Sequence, residues 1–303
     1  MKSESYNQQP NRIIQSENRP IHCFSTDVED KNIDESVVDS FGEEWQKFSH
    51  FSNEEITKVG DMYFDIIDEN IINKNTYGID IGCGTGRWTK YLCDKIGFME
   101  AVDPSQAIFV ADKLLKDKEN VRLSMASTDN LPFNDETFDF GMSIGVLHHI
   151  PNTEQALKDC VKKIKRRGYF YIYLYYNFED KGIGFKLLFN LANMVRFLVS
   201  KLPKVFKKFT CDLIAIFVYM PIVLFGRLCR FLGLRKFAKK LPLSFYQNTS
   251  FNIIRNDSLD RFGTSLEQRF SRKDITNMMK NAGLGEIVIS DSAPYWHAIG
   301  KKM

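Results

Sequence analysis

The sequence predicts an α/β fold, and three observations predict it. A short β-branched and aromatic run, Tyr77-Gly-Ile-Asp-Ile81, leads straight into Gly82-Cys-Gly-Thr-Gly86, and residues 88–95 then read as helix. Strand-like and helical runs alternate from there to Tyr176. The chain ends on a helix and two strand-like runs. Three glycines at every second position can take φ > 0 and carry no Cβ to hold a ligand away. Strand, glycine loop and helix together make a nucleotide crevice at the carboxyl end of a first strand.

Residues 1–36 are polar and carry Pro10 and Pro20, so they are expected as a mobile tail, with a partner-binding arm as the alternative. Residues 37–75 read as a helical extension. Val38, Phe41, Trp45 and Phe48 recur at three and four and share one helical face. That helix packs on the sheet or serves as a lid. Asn53 is the expected cap of the next helix, with two glutamates in its first turn and a core stripe of Ile56, Val59, Met62, Tyr63 and Ile66. Residues 98–102 form the second strand. Pro104 suits the first turn of a helix running to Lys116. Residues 121–126 and 138–143 are the third and fourth strands, and 153–164 the next helix. Its basic end, Lys162 to Arg167, opposes the helix dipole, and Gly168 supplies the left-handed stop. Residues 169–176 are nearly all apolar or aromatic, as a strand covered on both faces should be. A helix over 271–281, capped by Ser271 and closed by Gly283, precedes strands 286–290 and 295–300, joined by a turn around Ala293-Pro294.

A glycine loop with an acid about 20 residues on also fits a dinucleotide fingerprint. Further residues separate the two readings. Asp80 stands two before the first glycine. Asp103 follows the second strand. Downstream come Leu131-Pro-Phe133, Phe138-Asp-Phe140 and Val146-Leu-His-His-Ile150. Over about 76–175 this combination resembles the class I S-adenosylmethionine (SAM)-dependent methyltransferases, specifically their small-molecule, type 11-like branch. The resemblance implies a Rossmann-like seven-stranded methyltransferase sheet, mostly parallel, with a C-terminal antiparallel hairpin and, here, a helical insertion. The domain is then made of 76–176 and 247–303, with 177–246 inserted.

The same resemblance implies the site. Asp80, Gly82, Cys83, Gly84, Thr85 and Gly86 surround the methionine half of SAM, with Asp80 holding its ammonium directly or through water. Asp103, next to Pro104, takes the ribose hydroxyls, caps the following turn, or does both. The family usually places an acid four residues before Leu-Pro-Phe to meet the adenine. Here Ser127 stands in that position, followed by Thr128 and Asp129, so either Asp129 or Ser127 with backbone groups makes that contact. Gly145 lines the pocket. His148 is the candidate catalytic base, with a structural histidine as the alternative and His149, Tyr175 and Tyr176 behind it. A base is needed only for a hydroxyl or carbon acid. Arg261, Arg269 and Arg272 either clamp an acidic group on the acceptor or pair with Asp257, Asp260 or Glu267.

Bulk properties narrow the classes. With 44% hydrophobic and 26% charged residues the chain is neither disordered nor fibrous. Its six cysteines include no C-x-x-C pair, which argues against a metal site or disulfide framework and suits a reducing cytoplasm. The first residues lack the apolar stretch of a signal peptide. The net charge of +3 conceals an asymmetry. Residues 181–240 hold 13 Lys and Arg against one acid, Asp212, or +12, while the rest holds 28 basic and 37 acidic, or −9.

The function expected is methyl transfer from SAM to a small or lipid-linked acceptor. The alternatives are an RNA methyltransferase and a SAM-binding protein without turnover. The insertion is expected to dock on an anionic membrane surface, placing the protein peripherally at the inner face, or else to cap the sheet domain. Nucleic acid is disfavoured as a partner by the insertion's aliphatic content. Its longest uncharged run, 213–226, would reach roughly 20 Å as a helix at ~1.5 Å per residue against ~30 Å of hydrocarbon, and Pro221 is expected to kink it.

Overall fold

In the computed structural model the apolar runs pair into one sheet. It describes residues 3–24, 32–35, 37–38, 52–179, 182–249, 251–263, 266–292, 294 and 296–303. The strands are β1 (Arg12–Gln15), β2 (Pro20–Cys23), β3 (Tyr77–Ile81), β4 (Phe98–Val102), β5 (Val121–Met125), β6 (Phe138–Ile144), β7 (Ile164–Tyr173), β8 (Leu284–Ile289) and β9 (His297–Lys302). Among the described residues they lie in the order β1-β2-β5-β4-β3-β6-β7-β9-β8. Pairing from β2 through β7 is parallel, and β9 runs antiparallel to both β7 and β8. The expected C-terminal hairpin is therefore present. Chain order reverses direction at β3, between β4 and β6, which puts the switch point of the sheet at the glycine loop.

Two compact units make up the chain, 1–179 with 266–303 and 180–265. In the first, helices α1 (Asn53–Tyr63), α2 (Arg87–Cys93), α3 (Ala107–Leu114) and α4 (Thr153–Lys162) follow in chain order, and α10 (Arg272–Asn281) precedes β8. Alternate strand residues feed two apolar layers. Tyr77, Ile79 and Ile81 join Leu157 and Cys160 of α4 and Met279 of α10 on one side. Met99, Phe140 and Tyr171 join Trp88 and Leu92 of α2 and Ile108 of α3 on the other.

The N-terminal stretch departs from expectation. Residues 12–23 are not a tail but an antiparallel hairpin, and β2 extends the sheet beyond β5. It is held by side chains outside the apolar pattern. Arg19 pairs with the fully buried Asp112 at 3.1 Å. Tyr6 packs on Phe24 and Phe133 beneath the Arg122 guanidinium. Arg122 in turn meets Glu100, buried within β4, whose carboxylate also accepts from the Tyr77 hydroxyl at 2.6 Å. Polarity read along the chain misses this, because the hairpin buries few but well-partnered groups.

Smaller corrections have local causes. Ser52, not Asn53, caps α1, in a capping box with Glu55. Val59 and Met62 lie exposed, so the stripe of α1 is narrower than its periodicity suggests. Pro104 precedes α3, which starts at Ala107. α4 stops at Lys162, and residues 165–167 belong to β7, where a bulge opposite residues 138–140 gives Arg167, not Gly168, the positive φ. Gly168 is needed for space, because a Cβ there would meet the Asp139 carbonyl at 2.7 Å. Ser271 caps α10 and Gly283 closes it at φ 87°, as expected. Phe41, Trp45 and Phe48 of the expected lid helix, and Ala293 of the last turn, lie outside the described residues.

The second unit is helical: α5 (Ile183–Ser200), α6 (Lys204–Ile214), α7 (Met220–Phe231), α8 (Arg235–Ala238) and α9 (Phe251–Gly263). It extends past Tyr246 through α9. A π-helical turn, Ala215–Tyr219, joins α6 to α7 immediately before Pro221, so the helix runs on through the proline instead of breaking. The 27 residues Val205–Phe231 form one helix, long and apolar enough by length and composition to cross a membrane, as is Ile183–Ser200. At ~1.5 Å per residue the longer one reaches about 40 Å, so the length argument against spanning does not hold.

Candidate functional site

The site is built where β3 ends. Gly82, Gly84 and Gly86 have φ of 78°, 53° and 77°. They are not equivalent. A Cβ on Gly82 would come within 2.5 Å of Val146, and one on Gly86 within 2.8 Å of Leu115, so both are also packing positions. Gly84 faces open space, and there a ligand can approach the backbone. Cys83 and Thr85 between them are buried. The Gly82 and Cys83 N–H groups both donate to the Val102 carbonyl, which ties the loop to β4.

Asp80 is 1% exposed. Its Oδ2 accepts from the Thr89 hydroxyl of α2 at 2.6 Å, and its Oδ1 has no hydrogen-bond partner. Burial raises its pKa to about 7, with the Thr89 bond opposing and neighbouring Asp103 adding. A buried carboxylate oxygen without a donor is costly, and a cationic ligand group relieves that cost. This free acceptor therefore fits the ammonium of SAM.

Asp103, at the end of β4, does two structural jobs. Its Oδ1 accepts from the Ser105 N–H and hydroxyl at 2.8 and 2.6 Å, and its Oδ2 accepts from the Gly84 N–H at 2.8 Å. Burial nonetheless raises its pKa. Oδ2 keeps a second lone pair for a ligand hydroxyl. Pro104 beside it is half-buried. In the third loop Ser127 is buried and its hydroxyl donates to Asp129, while Thr128 and Asp129 are half-buried. Asp129 also accepts from the Asn32 N–H at 3.1 Å. Both adenine candidates are thus bonded to each other. Gly145 has φ 76° and donates its N–H to the Tyr173 carbonyl.

Past β6 the turn Leu147–His149 presents the histidine pair. His148 has no exposed surface and neither ring nitrogen has a hydrogen-bond partner. It stacks on Tyr175 at 3.9 Å and meets His149 at 4.1 Å. Burial first, then His149 and Arg269, hold its pKa well below the usual histidine range, so the ring is neutral. His149 bonds the Leu266 carbonyl through Nδ1 at 2.7 Å. Tyr176 turns instead toward Phe178 and Trp296.

Each of the three arginines has an acidic partner. Arg261 pairs with Asp257 and Arg269 with Glu267, both at 2.7 Å, and Arg272 pairs with Asp291. Arg261 also belongs to the second compact unit and the other two to the first. Sequence reasoning missed two residues. Thr89 braces Asp80 from nine positions on, one turn into α2. Arg87 is half-buried with its guanidinium over the Trp88 ring, and its charge feels Tyr63 and Tyr175. The only signal in the sequence was their place just after the glycines.

Comparison with known proteins agrees with this geometry. A family profile described as a methyltransferase domain matches residues 79–172. The demethylmenaquinone methyltransferase of Bacillus licheniformis is 28% identical over 142 residues, 45% of this chain and 59% of its own. That of Staphylococcus aureus strain JH9 is 32% identical over 102 residues, 32% of this chain and 42% of its own. The chain spans about half the length of the curated relatives it matches. A solved SAM-dependent methyltransferase from Aquifex aeolicus overlays at TM-score 0.42 and 13% identity, over 83% of this chain and 98% of that one, a likeness too weak to add to the assignment. The profile match, the strand order and the glycine loop together mark residues 79–172 as a methyltransferase domain.

Proposed function

We propose that the protein transfers a methyl group from SAM to a small or lipid-linked acceptor. The observation that carries this is the half-satisfied, buried Asp80 carboxylate beside the open backbone of Gly84. The cofactor, when bound, supplies an activated methyl carbon for in-line displacement. Asp80 Oδ1 accepts from its ammonium, Asp103 Oδ2 from its ribose, and the 127–129 loop borders its adenine. Asp103 also holds Gly84 in place, so one carboxylate sets both the loop and the ligand. His148 is neutral and has unengaged ring nitrogens, so it takes the proton from a hydroxyl or carbon-acid acceptor. Tyr175, stacked on His148, fixes the ring plane. The likeness to demethylmenaquinone methyltransferases supports an acceptor of the lipid-linked kind.

The test is incubation with methyl-labelled SAM and cell extract split into lipid, RNA, protein and small-molecule fractions. Label in the lipid or small-molecule fraction is expected. Label in RNA alone would replace the reading with an RNA methyltransferase. Tight SAM binding with no label anywhere would leave a SAM-binding protein without turnover. His148→Asn should keep SAM affinity and lower turnover by roughly 100-fold or more, the usual contribution of general base catalysis. Unchanged turnover would return His148 to a structural role.

A further inference from the structure

We propose that the helical unit 180–265 docks on an anionic phospholipid surface, lying in the plane of the membrane with the outer faces of α5 and α6–α7 inserted. This goes beyond the methyl-transfer reading and does not depend on it.

The two faces of this unit differ in kind. On its inner side, Cys211, Ala215, Tyr219, Val223 and Gly226 form a buried stripe at spacings of three and four. The stripe meets a polar helix, α9. Arg255 of α9 bonds Asp212 at 2.6 Å, Ser258 donates to the Cys211 carbonyl at 2.7 Å, and Asp257 accepts from the Tyr219 hydroxyl at 3.0 Å. Arg261 closes that network on Asp257. On the outer side, Val205, Phe209, Leu213 and Phe217 follow at intervals of four, with Phe217 72% exposed. Leu224, Leu228 and Phe231 continue the outer row, and Phe231 is 87% exposed. α5 repeats the arrangement: Ile183, Leu187, Leu191, Met194 and Leu198 are all exposed at spacings of four and three. A soluble surface rarely carries contiguous apolar area on this scale.

Charge decides what covers it. Both described acidic side chains of the helices in this unit, Asp212 and Asp257, are neutralised by arginines. Among the described residues the exposed charges that remain are cations: Lys201, Lys208, Arg230, Arg235, Lys236, Lys239 and Lys240. They gather at the two ends of the long helix, while the stretch from Phe209 to Gly226 holds no cation at all. Apolar rows flanked by exposed lysines suit the boundary between acyl chains and anionic headgroups. Length alone would also allow the helix to span. Spanning would carry the Arg255, Asp257 and Arg261 side chains of α9 into hydrocarbon alongside it, and charged groups there are expensive. An in-plane orientation leaves α9 in water and needs no such transfer.

The full-length protein is tested by co-sedimentation with vesicles of phosphatidylcholine alone and of phosphatidylcholine with phosphatidylglycerol. Binding to the anionic vesicles at low salt is expected, weakened at high salt. Phe217→Asp should lower the partition coefficient about tenfold, as loss of an inserted aromatic side chain predicts. Lys236→Glu combined with Lys239→Glu should reduce binding to anionic vesicles and leave the residual binding to neutral ones unchanged. These positions are exposed, and circular dichroism melts within a few degrees of wild type confirm that the variants fold. Protein remaining in the supernatant with anionic vesicles at low salt overturns the proposal. So does bound protein that alkaline carbonate cannot release, which would mean a spanning helix. A dimer in solution that Phe217→Asp dissociates, with vesicle binding unaltered, would assign the face to a second copy. Binding of mixed RNA without vesicle binding would assign the lysines to nucleic acid and equally overturn it.

Discussion

Phenylalanine plays opposite parts in the two compact units. In the sheet unit Phe133, Phe138, Phe140 and Phe170 have no exposed surface. In the helical unit Phe206, Phe209, Phe217 and Phe231 are each more than half exposed. The residue type is the same and the local periodicity is equally regular, so neither explains the difference. The sheet has helices on both faces to complete its layers. The helix pair α5 and α6–α7 has α9 on one side, and a small core of Ala215, Tyr219, Val223, Tyr246 and Ile254. An amphipathic helix is satisfied by whatever medium covers its apolar row. The lesson is that apolar content measures demand for cover, and the topology decides whether the chain itself meets it.

The contrast can be broken most directly by truncating one phenylalanine from each unit. Phe140→Ala should cost about 3–5 kcal/mol of unfolding free energy, because it leaves a cavity between packed layers. Phe217→Ser should stay within about 0.5 kcal/mol of wild type, as surface changes do. Urea denaturation of both variants decides it, and equal losses would show that Phe217 is buried in solution.

The N-terminal hairpin sharpens the comparison, since it is polar in sequence yet docked. Arg19→Ala leaves the buried Asp112 carboxylate without its cation, with Asn18 as its remaining donor, and should destabilise the protein by about 3 kcal/mol, the cost of breaking a buried pair. A loss below about 1 kcal/mol would mean that this pair does not anchor the hairpin.

Within the sheet unit, Asp103→Ala should weaken SAM binding by about 1.5–3 kcal/mol, the range for hydrogen bonds to a charged group. Calorimetry with a folded variant measures it, and undiminished affinity would remove Asp103 from the ribose site. No comparable loss is expected from Asp212→Ala, whose carboxylate belongs to the helical unit.

Asp80 gives the smallest effect and the one with a defined sign. Its native pKa of about 7 lies above the ordinary 3.8, so the native state holds a proton that the unfolded chain releases. The contribution of Asp80 to the stability of the ligand-free protein is therefore fully present below the ordinary value and is lost as pH rises through the window up to about 7. SAM binding runs the other way, because its ammonium needs the carboxylate ionised. Affinity should rise about tenfold between pH 6 and pH 7.5, the gain expected of one linked proton. Asp80→Asn should flatten both slopes. A SAM affinity independent of pH in the wild-type protein would show that Asp80 does not meet the ammonium.

Much of this molecule was determined by sequence alone. β3 and the glycine loop are local: a strand must precede, a positive φ must follow, and Gly82, Gly84 and Gly86 permit it. Asp103 and Ser127 follow from strand spacing, because parallel neighbours bring successive carboxyl ends to one edge. What only the tertiary structure decided is what each of these residues faces. Gly84 is open to a ligand while Gly82 and Gly86 are closed by Val146 and Leu115, residues far apart in the chain. Asp80 has one oxygen left over because Thr89 reaches the other. The hairpin 12–23 is docked because Asp112 and the Val121 carbonyl, on distant elements, meet Arg19. Pro221 sits inside a continuous helix because a π-helical turn precedes it. Backbone conformation is set by a residue and its near neighbours, whereas burial, partnership and charge state are set by whatever the fold brings alongside. Periodicity can therefore mark a face as apolar, and packing alone determines whether protein, ligand or lipid covers it.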